Sequence, residues 1–247
     1  MAAKDLFSGH AELYAAFRPT YPEELYNYVF GLVNEKNLAW DCATGNGQVA
    51  LRLSNDFQRV FASDISTQQI EKAFAAPNIN YSVQPAEQTD YPDHCFDLIT
   101  VAQALHWIDL DRFYDEVMRV GKTGAVIAVW GYSNISVDEN IDRYINYLYR
   151  DLVGQYWDHA RRLVEEEYAA LPFPFREITQ PKFIISANWT LKHLSGYLQS
   201  WSATQAYIRE TGDDPVPDII KNIARHWGDA LEKNVRFPVF TKIGKIG

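Results

Sequence analysis

Short apolar runs alternate with helical patterns throughout the segment from Leu38 to about Trp130. The apolar runs are LAWDC, RVFASD, INYSVQ, FDLITVAQ and GAVIAVW. Amphipathic stretches separate most of them, namely GQVALRLSN, STQQIEKAFAA and DRFYDEVMRV. This alternation predicts βαβ units around a parallel sheet, because parallel neighbours need a connection long enough to hold a helix.

The pattern changes after Tyr132, where aromatic-rich helical stretches precede two further strand candidates, KFIISANW and VRFPVFTKI. We predict one α/β domain with a Rossmann-like, doubly wound, mostly parallel seven-stranded sheet, helices on both faces and an inserted helical cap. We expect the cofactor-binding core in residues 37–132, the cap insertion in residues 133–180 and the completion of the sheet in residues 181–247.

The charge balance argues against nucleic acid as a partner. The chain has 32 acidic and 23 basic residues, a formal net charge of -9, and scattered Lys and Arg residues. Without a basic groove, such a chain does not favour a polyanionic phosphate backbone. Arg161 and Arg162 are adjacent, but three glutamates follow closely, which is typical of a solvated helix face.

The cysteine count and the hydropathy pattern suggest the cellular setting. Cys42 and Cys95 are the only cysteines, too few for a disulfide framework or a cysteine-rich metal site. The first residues lack the apolar core of a signal peptide, and no run of about eighteen apolar residues occurs. We therefore expect a cytoplasmic protein with no metal site and no membrane partner.

The stretch DCATGNGQVA, residues 41–50, is compatible with two kinds of cofactor site. Gly45, Gly47 and Ala50 fit the pattern G-x-G-x-x-G/A of dinucleotide-binding loops. Asp41 precedes the loop, and a carboxylate there would repel a pyrophosphate but attract a cationic ligand. Asp64, at the end of the second strand, can accept both ribose hydroxyls of either cofactor. Asp41 therefore favours a cation, whereas Asp64 indicates a nucleoside without choosing between the two.

DCATGNG resembles motif I of the class I S-adenosylmethionine-dependent methyltransferases, with Ala43 in place of the first glycine. Asp64 with Ile65, the block PAEQTDYP and the block FDLITVAQALHWID follow in the order of that family. A narrower likeness covers nearly the whole chain: LYAAFRPTYPEEL, AQALHW, LPFPF and LQSWSATQAY resemble small-molecule methyltransferases related to the trans-aconitate methyltransferases. The resemblance implies S-adenosylmethionine as the cofactor.

The resemblance also implies a set of cofactor contacts. Residues 1–36 would form a helical lid, with Tyr14 and Arg18 four positions apart on one helix face, and Arg18 would pair with a carboxylate of the cofactor or the substrate. Ile65 would neighbour the adenine, and Gln103 would lie near the reacting methyl. The implied cofactor-binding residues are Tyr14, Arg18, Asp41, Ala43, Gly45, Gly47, Asp64, Ile65, Ala86, Glu87 and Gln103.

Several of these residues have a structural alternative. The glycines can serve turn conformation alone, and Asp64 can instead cap the following helix. Glu87 can contact the adenine edge or lie in solvent. Arg18 can form a surface ion pair.

The acceptor side of the site is less well defined. His106 follows the fourth strand and is the candidate catalytic base, or else a packed residue that braces the loop together with Trp107. We expect Trp107 and Trp130 to line the substrate pocket.

The predicted function is methyl transfer to a small molecule, as O-methylation of a carboxylate or a hydroxyl, by a monomer or homodimer. A carboxylate is already ionised at pH 7 and needs no base, which agrees with the lack of a clear catalytic dyad. A nicotinamide-dependent dehydrogenase, a non-catalytic cofactor-binding protein and a nucleic-acid methyltransferase are the alternatives.

Overall fold

The computed structural model describes residues 17–247 and places eight strands in one sheet. The strands are β1 (Leu38–Cys42), β2 (Arg59–Asp64), β3 (Ile79–Val83), β4 (Phe96–Ala102), β5 (Gly121–Tyr132), β6 (Arg176–Glu177), β7 (Phe183–Trp189) and β8 (Lys233–Lys245). Their order is β3-β2-β1-β4-β5-β8-β6, and β7 also pairs with β8. The strand order therefore reverses at β1, which lies between β2 and β4.

The α-helices are distributed between the strands. They are α1 (Glu23–Gly31), α2 (Gln48–Leu53), α3 (Thr67–Glu71), α4 (Leu110–Val120), α5 (Glu139–Tyr147), α6 (Arg161–Glu165), α7 (Leu191–Gln199), α8 (Ser202–Thr211) and α9 (Val216–Trp227). Short 3-10 turns occupy Leu105–Trp107 and Gly154–Tyr156, and a π-helical turn occupies Leu148–Leu152. No helix within residues 17–247 combines the length and the apolar character needed to span a bilayer.

The central strands bury both of their faces. Ala39, in β1, belongs to a buried cluster that also contains the apolar residues of α1 and α2. Trp40, the next residue, belongs to a second cluster that contains Phe113 and Val117 of α4. Since successive strand residues point to opposite faces, the near-continuous apolar runs of β1, β4 and β5 reflect helices on both sides of the sheet. The predicted fold class is confirmed.

The sheet has eight strands, one more than the sequence predicts, and the additional strand lies beside β8. β8 runs antiparallel to β5, β6 and β7, so it is the one reversed strand in the described sheet. The sequence predicts seven strands, and the eighth is the two-residue β6, which pairs with the end of β8. A pair of residues carries no periodicity, which is why the sequence does not indicate this strand.

Aromatic residues join helical segments that are distant in sequence. The ring of Tyr149 lies 5.5 Å from that of Trp201, and the ring of Trp157 lies 5.7 Å from Trp201. The ring of Tyr144, in α5, lies 5.7 Å from the ring of His226 in α9. Helices from residues 133–180 and from residues 181–247 therefore pack into one aromatic cap.

The helix after β2 is shorter than its sequence pattern. Ser66 caps α3 by accepting a hydrogen bond from the backbone N–H of Gln69, as predicted. The pattern STQQIEKAFAA predicts a helix to Ala76, but α3 ends at Glu71. The backbone N–H of Phe74 donates instead to the carbonyl of Asn46, which directs this segment towards the loop after β1.

A buried carboxylate on α4 fixes the loop between β3 and β4. Glu116 accepts hydrogen bonds from the backbone N–H and the hydroxyl of Thr89, and Arg119 donates to both of its oxygens. Burial raises the pKa of Glu116, but the hydrogen bonds from Arg119 and Thr89 outweigh burial and hold the pKa below its ordinary value. Arg119 also donates to Asp93 and to the carbonyl of Tyr91. This network holds the loop that carries Ala86 and Glu87.

We expect Glu116→Gln to lower the free energy of unfolding by about 1–3 kcal/mol, because a Gln amide would point a donor at the donors that Glu116 now accepts. Urea unfolding followed by fluorescence measures this change. Asp115→Asn, at an exposed carboxylate on the same helix, is the matched control and should leave the stability unchanged. Equal stability of the two variants would contradict the role given to Glu116.

Candidate functional site

A cleft opens at the carboxyl ends of β1, β2 and β4, where the strand order reverses. Its wall includes the loop after β1, the residues that follow β2 and the exit of β4. Open α/β sheets bind ligands at this position. The predicted site residues in the wall are Ala43, Gly45, Asp64, Ile65, Ala86, Glu87, Gln103 and Trp107.

The loop after β1 needs left-handed backbone at three positions. Ala43, Gly45 and Gly47 have φ of 52°, 56° and 79°. A Cβ at Gly47 would lie 2.1 Å from the hydroxyl oxygen of Tyr81, so glycine is required there for space as well as for conformation. Ala43 adopts a conformation that costs a non-glycine residue energy, and such strain is concentrated at functional sites. Gly47 starts α2 and is not part of the cleft wall.

Asp41 lies behind this loop. Its side chain is 1% exposed, and its carboxylate accepts hydrogen bonds from the hydroxyl of Thr44, from the hydroxyl of Thr100 at 2.8 Å and from the backbone N–H of Ala50 at 3.1 Å. Burial raises the pKa of Asp41 to about 6, against the lowering effect of these hydrogen bonds. The geometry differs from the predicted direct contact with a cation: Asp41 joins β1, β4, the loop and α2.

Asp64 does lie in the cleft wall. Its two carboxylate oxygens accept from the backbone N–H of Gly45 at 2.8 Å and from the backbone N–H of Ser66 at 2.9 Å. Because Ser66 caps α3, Asp64 does not have that role. A carboxylate can accept about four hydrogen bonds, so a carboxylate at this place in the wall can bind hydroxyl donors of a ligand.

The segments after β2 and β3 also contribute to the wall. Ala86 is 8% exposed, and Ile65 faces the cleft with 45% exposure. The carboxylate of Glu87 accepts a hydrogen bond from the backbone N–H of Asp109 at 3.0 Å. Glu87 therefore holds the turn before α4, a contact that neither of the sequence alternatives includes.

Gln103 connects the ends of β4 and β5. Its side-chain oxygen accepts from the backbone N–H of Tyr132 at 2.8 Å, and its own backbone N–H donates to the carbonyl of Trp130 at 2.8 Å. The residue has a φ of 54°, which directs the chain out of the sheet at the cleft. Gly131 is needed beside it, since a Cβ there would lie 2.5 Å from the Gln103 oxygen.

His106 lies next to the cleft but not in its wall. Its Nδ1 is hydrogen-bonded to the hydroxyl of Tyr168, 2.7 Å away, and its ring centroid lies 4.7 Å from that of Trp107. Burial and, to a smaller extent, the positive charge of Arg161 together lower the pKa of His106 to about 3. These contacts favour the packing interpretation over the catalytic one.

The two predicted pocket tryptophans differ. Trp107 is in the cleft wall, whereas Trp130 is fully buried and packs edge-on against Tyr21 and Tyr26, with ring centroids 5.8 and 6.1 Å away. Trp130 thus supports the cleft from behind. Tyr21 is in the wall and was missed by the sequence reasoning, although it lies in the block that carries the family likeness.

Of the two predicted lid residues, Tyr14 and Arg18, the described part of the chain includes Arg18. Tyr14 lies outside the described residues. Arg18 donates to the hydroxyl of Tyr132 and to the carbonyl of Ser200, both at 3.0 Å, and stacks 5.4 Å from the ring centre of Tyr197. It contacts the cap at Tyr197 and Ser200 and is not part of the cleft wall. Residues 17–247 contain no cluster of three or more potential metal ligands.

Comparisons with known proteins identify methyltransferases as similar to this chain. A family model described as a methyltransferase domain matches residues 40–129, which include the cleft loop. A Dictyostelium discoideum protein whose name describes it as a methyltransferase is 32% identical, over 98% of this chain and 95% of that protein. A Saccharomyces cerevisiae protein named as an S-adenosylmethionine-dependent methyltransferase is 22% identical, over 89% of this chain and 87% of that protein.

A solved structure from Anaeromyxobacter dehalogenans, described as a type II methyltransferase, superposes with a TM-score of 0.87. It is 38% identical in sequence, and the match covers 93% of this chain and 98% of that one. The likeness therefore includes the cap as well as the cleft. This chain belongs to the class I S-adenosylmethionine-dependent methyltransferases, and S-adenosylmethionine is its cofactor.

Proposed function

We propose that this enzyme methylates an oxygen atom of a small-molecule acceptor, and that this oxygen belongs to a carboxylate. The observation that carries the proposal is the composition of the cleft wall. Among the described residues that form it, Tyr21, Asp64 and Glu87 carry the acidic side chains, and none is a His, Lys or Cys. A carboxylate is ionised at pH 7 and needs no base, whereas a hydroxyl acceptor would need one.

The cleft residues fit the cofactor. Asp64 places a carboxylate in the wall that can accept from the ribose hydroxyls, and Ile65 and Ala86 offer apolar surface to the adenine. Gly45 and Gly47 give the loop its left-handed turn, and Gly45 does so without a side chain in the cleft wall. Gln103 and Trp107 then lie at the other end, beside the cap.

When bound, S-adenosylmethionine supplies a methyl group on a sulfonium, and in-line attack by the acceptor oxygen forms the O–C bond as the C–S bond breaks. The protein contributes alignment and a dry pocket, and the reacting atoms need to approach to about 3–3.5 Å. Gln103 fixes the backbone where β4 leaves the sheet, and Trp107 covers the cleft there.

Asp41 acts through the loop rather than on the cofactor. Its carboxylate holds Thr44, Thr100 and Ala50 in place, so the loop is shaped before any ligand arrives. The net charge of -9 supports a small-molecule acceptor over nucleic acid.

Cofactor binding is the first test of the proposed function. We expect calorimetric titration to give binding of S-adenosylmethionine and S-adenosylhomocysteine but not of NADH. Asp64→Asn should weaken both adenosyl ligands by about tenfold or more, since it removes a charged ribose acceptor. Asp90→Asn, an exposed carboxylate on the β3–β4 loop, is the control and should bind normally.

The acceptor is tested by mass spectrometry of a panel of short carboxylic acids incubated with enzyme and cofactor. We expect methyl esters. Methylation of hydroxyl compounds alone, with no ester formed, would contradict the carboxylate proposal.

We expect the ionisation of His106 to have no effect on the pH profile of this reaction. With a pKa of about 3 it is neutral above pH 5, so we expect no ionisation of His106 in kcat or kcat/KM between pH 5 and 8. His106→Asn should lower thermal stability and turnover together, and Tyr168→Phe, which removes the hydrogen-bond partner, should act in the same way. A loss in kcat of about a hundredfold with unchanged Tm would instead identify a base.

The burial of Asp41 predicts a pH dependence of stability. A carboxyl whose pKa rises from 3.8 to about 6 on folding stabilises the fold below pH 3.8, and this contribution is lost as the pH rises through 6. Asp41→Asn does not titrate, so its stability relative to the wild type should increase by up to about 3 kcal/mol between pH 4 and pH 7. Urea unfolding over this range measures the difference, with Asp90→Asn as control, and a constant difference would refute it.

A further inference from the structure

Arg161 begins α6 and lies half-buried in the aromatic cap. Its sequence pattern predicts a solvated helix face, and this expectation is wrong for Arg161 although it fits Arg162, which is 80% exposed in its side chain and pairs with Glu166. The guanidinium of Arg161 stacks on Trp157 and Tyr149, with ring centres 5.1 and 5.7 Å away. A half-buried charge in such a setting requires compensation.

That compensation is incomplete within the described chain. Arg161 Nε donates to the hydroxyl of Tyr149 at 2.9 Å, and its Nη2 donates to the side-chain oxygen of Asn134 at 2.9 Å. No carboxylate among residues 17–247 lies within ion-pair distance of the guanidinium, and Glu165 reaches it only through the Tyr149 hydroxyl. A guanidinium has five N–H donors, so donors remain for an incoming group.

Asn134 presents a further donor at the same place. Its oxygen accepts from Arg161, which directs its amide nitrogen away from the guanidinium, and no described residue accepts a hydrogen bond from that nitrogen. Arg161 and Asn134 together therefore offer N–H groups without a matching acceptor. Such a set is complementary to an anion, and to a carboxylate in particular.

Contacts with the loops after β4 and β5 connect this pair to the cleft. Tyr168, three residues after α6, bonds to His106 next to the cleft residue Trp107, and Glu167 accepts from the hydroxyl of Ser133. Glu167 and Tyr168 have left-handed φ of 53° and 57°. Two strained non-glycine residues in succession are costly, and such strain is typical of functional segments.

The positive charge of Arg161 affects the pKa values of two residues near it, His106 and Tyr197. It lowers the pKa of His106 in addition to the larger effect of burial. At Tyr197, burial raises the pKa, and the charges of Arg18 and Arg161 oppose it. Geometry gives the same relation: Arg18 stacks on Tyr197, whose ring lies 5.8 Å from Trp201, and Trp201 packs against the Tyr149 and Trp157 rings that Arg161 covers. The two guanidinium groups therefore contact one aromatic cluster of the cap.

We propose that Arg161, with Asn134, binds an anionic group of the acceptor and thereby determines which acceptors the enzyme accepts. This group differs from the oxygen that is methylated, because a carboxylate held by a guanidinium has its lone pairs engaged and is a poor nucleophile. The inference rests on the proposed function, since it assigns the acceptor end of the same site.

Binding to the enzyme saturated with S-adenosylhomocysteine tests this proposal without turnover. The probes are succinate, glutarate and adipate, each with its neutral diamide. We expect at least one acid, and no diamide, to bind the wild type, and Arg161→Gln to weaken that acid by about tenfold or more. Arg161→Lys should give an intermediate affinity, since it keeps the charge but loses the planar fork.

Arg162→Gln is the matched control, because it removes the same charge from the neighbouring, exposed position. Both variants should bind S-adenosylhomocysteine as the wild type does, which excludes misfolding as the cause. Equal acid affinity in Arg161→Gln and the wild type, equal binding of acids and diamides, or binding of none of the acids would overturn the proposal.

The outcome is separable from that of the proposed function. An acid that binds through Arg161 but yields no methyl ester would refute carboxylate methylation and leave the role of Arg161 intact. An acid that is methylated with the same KM by Arg161→Gln and the wild type would refute the role of Arg161 and leave carboxylate methylation intact.

Discussion

The carboxylate of Asp41 holds together the elements that make the cleft. It accepts from Thr44 in the loop, from Thr100 in β4 and from Ala50 in α2, all from a position 1% exposed at the end of β1. A carboxylate has no donor of its own, so it can satisfy several converging donors at once. The left-handed turn from Ala43 to Gly47 is joined to β4 through this carboxylate, since Thr44 in the turn and Thr100 in β4 both donate to it.

Other polar side chains join strands and loops in a similar way elsewhere in the sheet. Glu116 holds the β3–β4 loop, and Gln103 joins β4 to β5 at the cleft. Asp97, at the opposite end of the strands, accepts from the backbone N–H groups of Asn37 and Leu38 at the start of β1. Each replaces hydrogen bonds that loop backbone would otherwise lack where it leaves the sheet. A buried polar group without partners is costly, so these joints favour one arrangement of the loops over others.

Much of the fold follows from the sequence because buried parallel strands read as continuous apolar runs. The apolar runs predict the strands β1 to β5. The residue types that follow these strands predict the helix cap at Ser66 and the position of the cleft at Gly45 and Asp64. The position of Asp41 was not, since a sequence gives the charge of a side chain but not the face it takes when three donors converge on it. Trp130 and Arg161 show the same limit: the first was expected in the pocket and is fully buried, and the second was expected in solvent and is half-buried under aromatic rings.

The long strand β8 has a consequence for how this enzyme can diversify. One half of β8 pairs with β5 and the other half with β7, so the chain returns to the sheet after both segments that build the cap. The cleft wall comes from residues 21–108, whereas the aromatic cap comes from the sequence between the end of β5 and the start of β8. The cleft and the cap are thus encoded by separate stretches of one gene. Recombination within the later stretch can exchange the cap while every hydrogen bond around Asp41 and Asp64 is inherited intact.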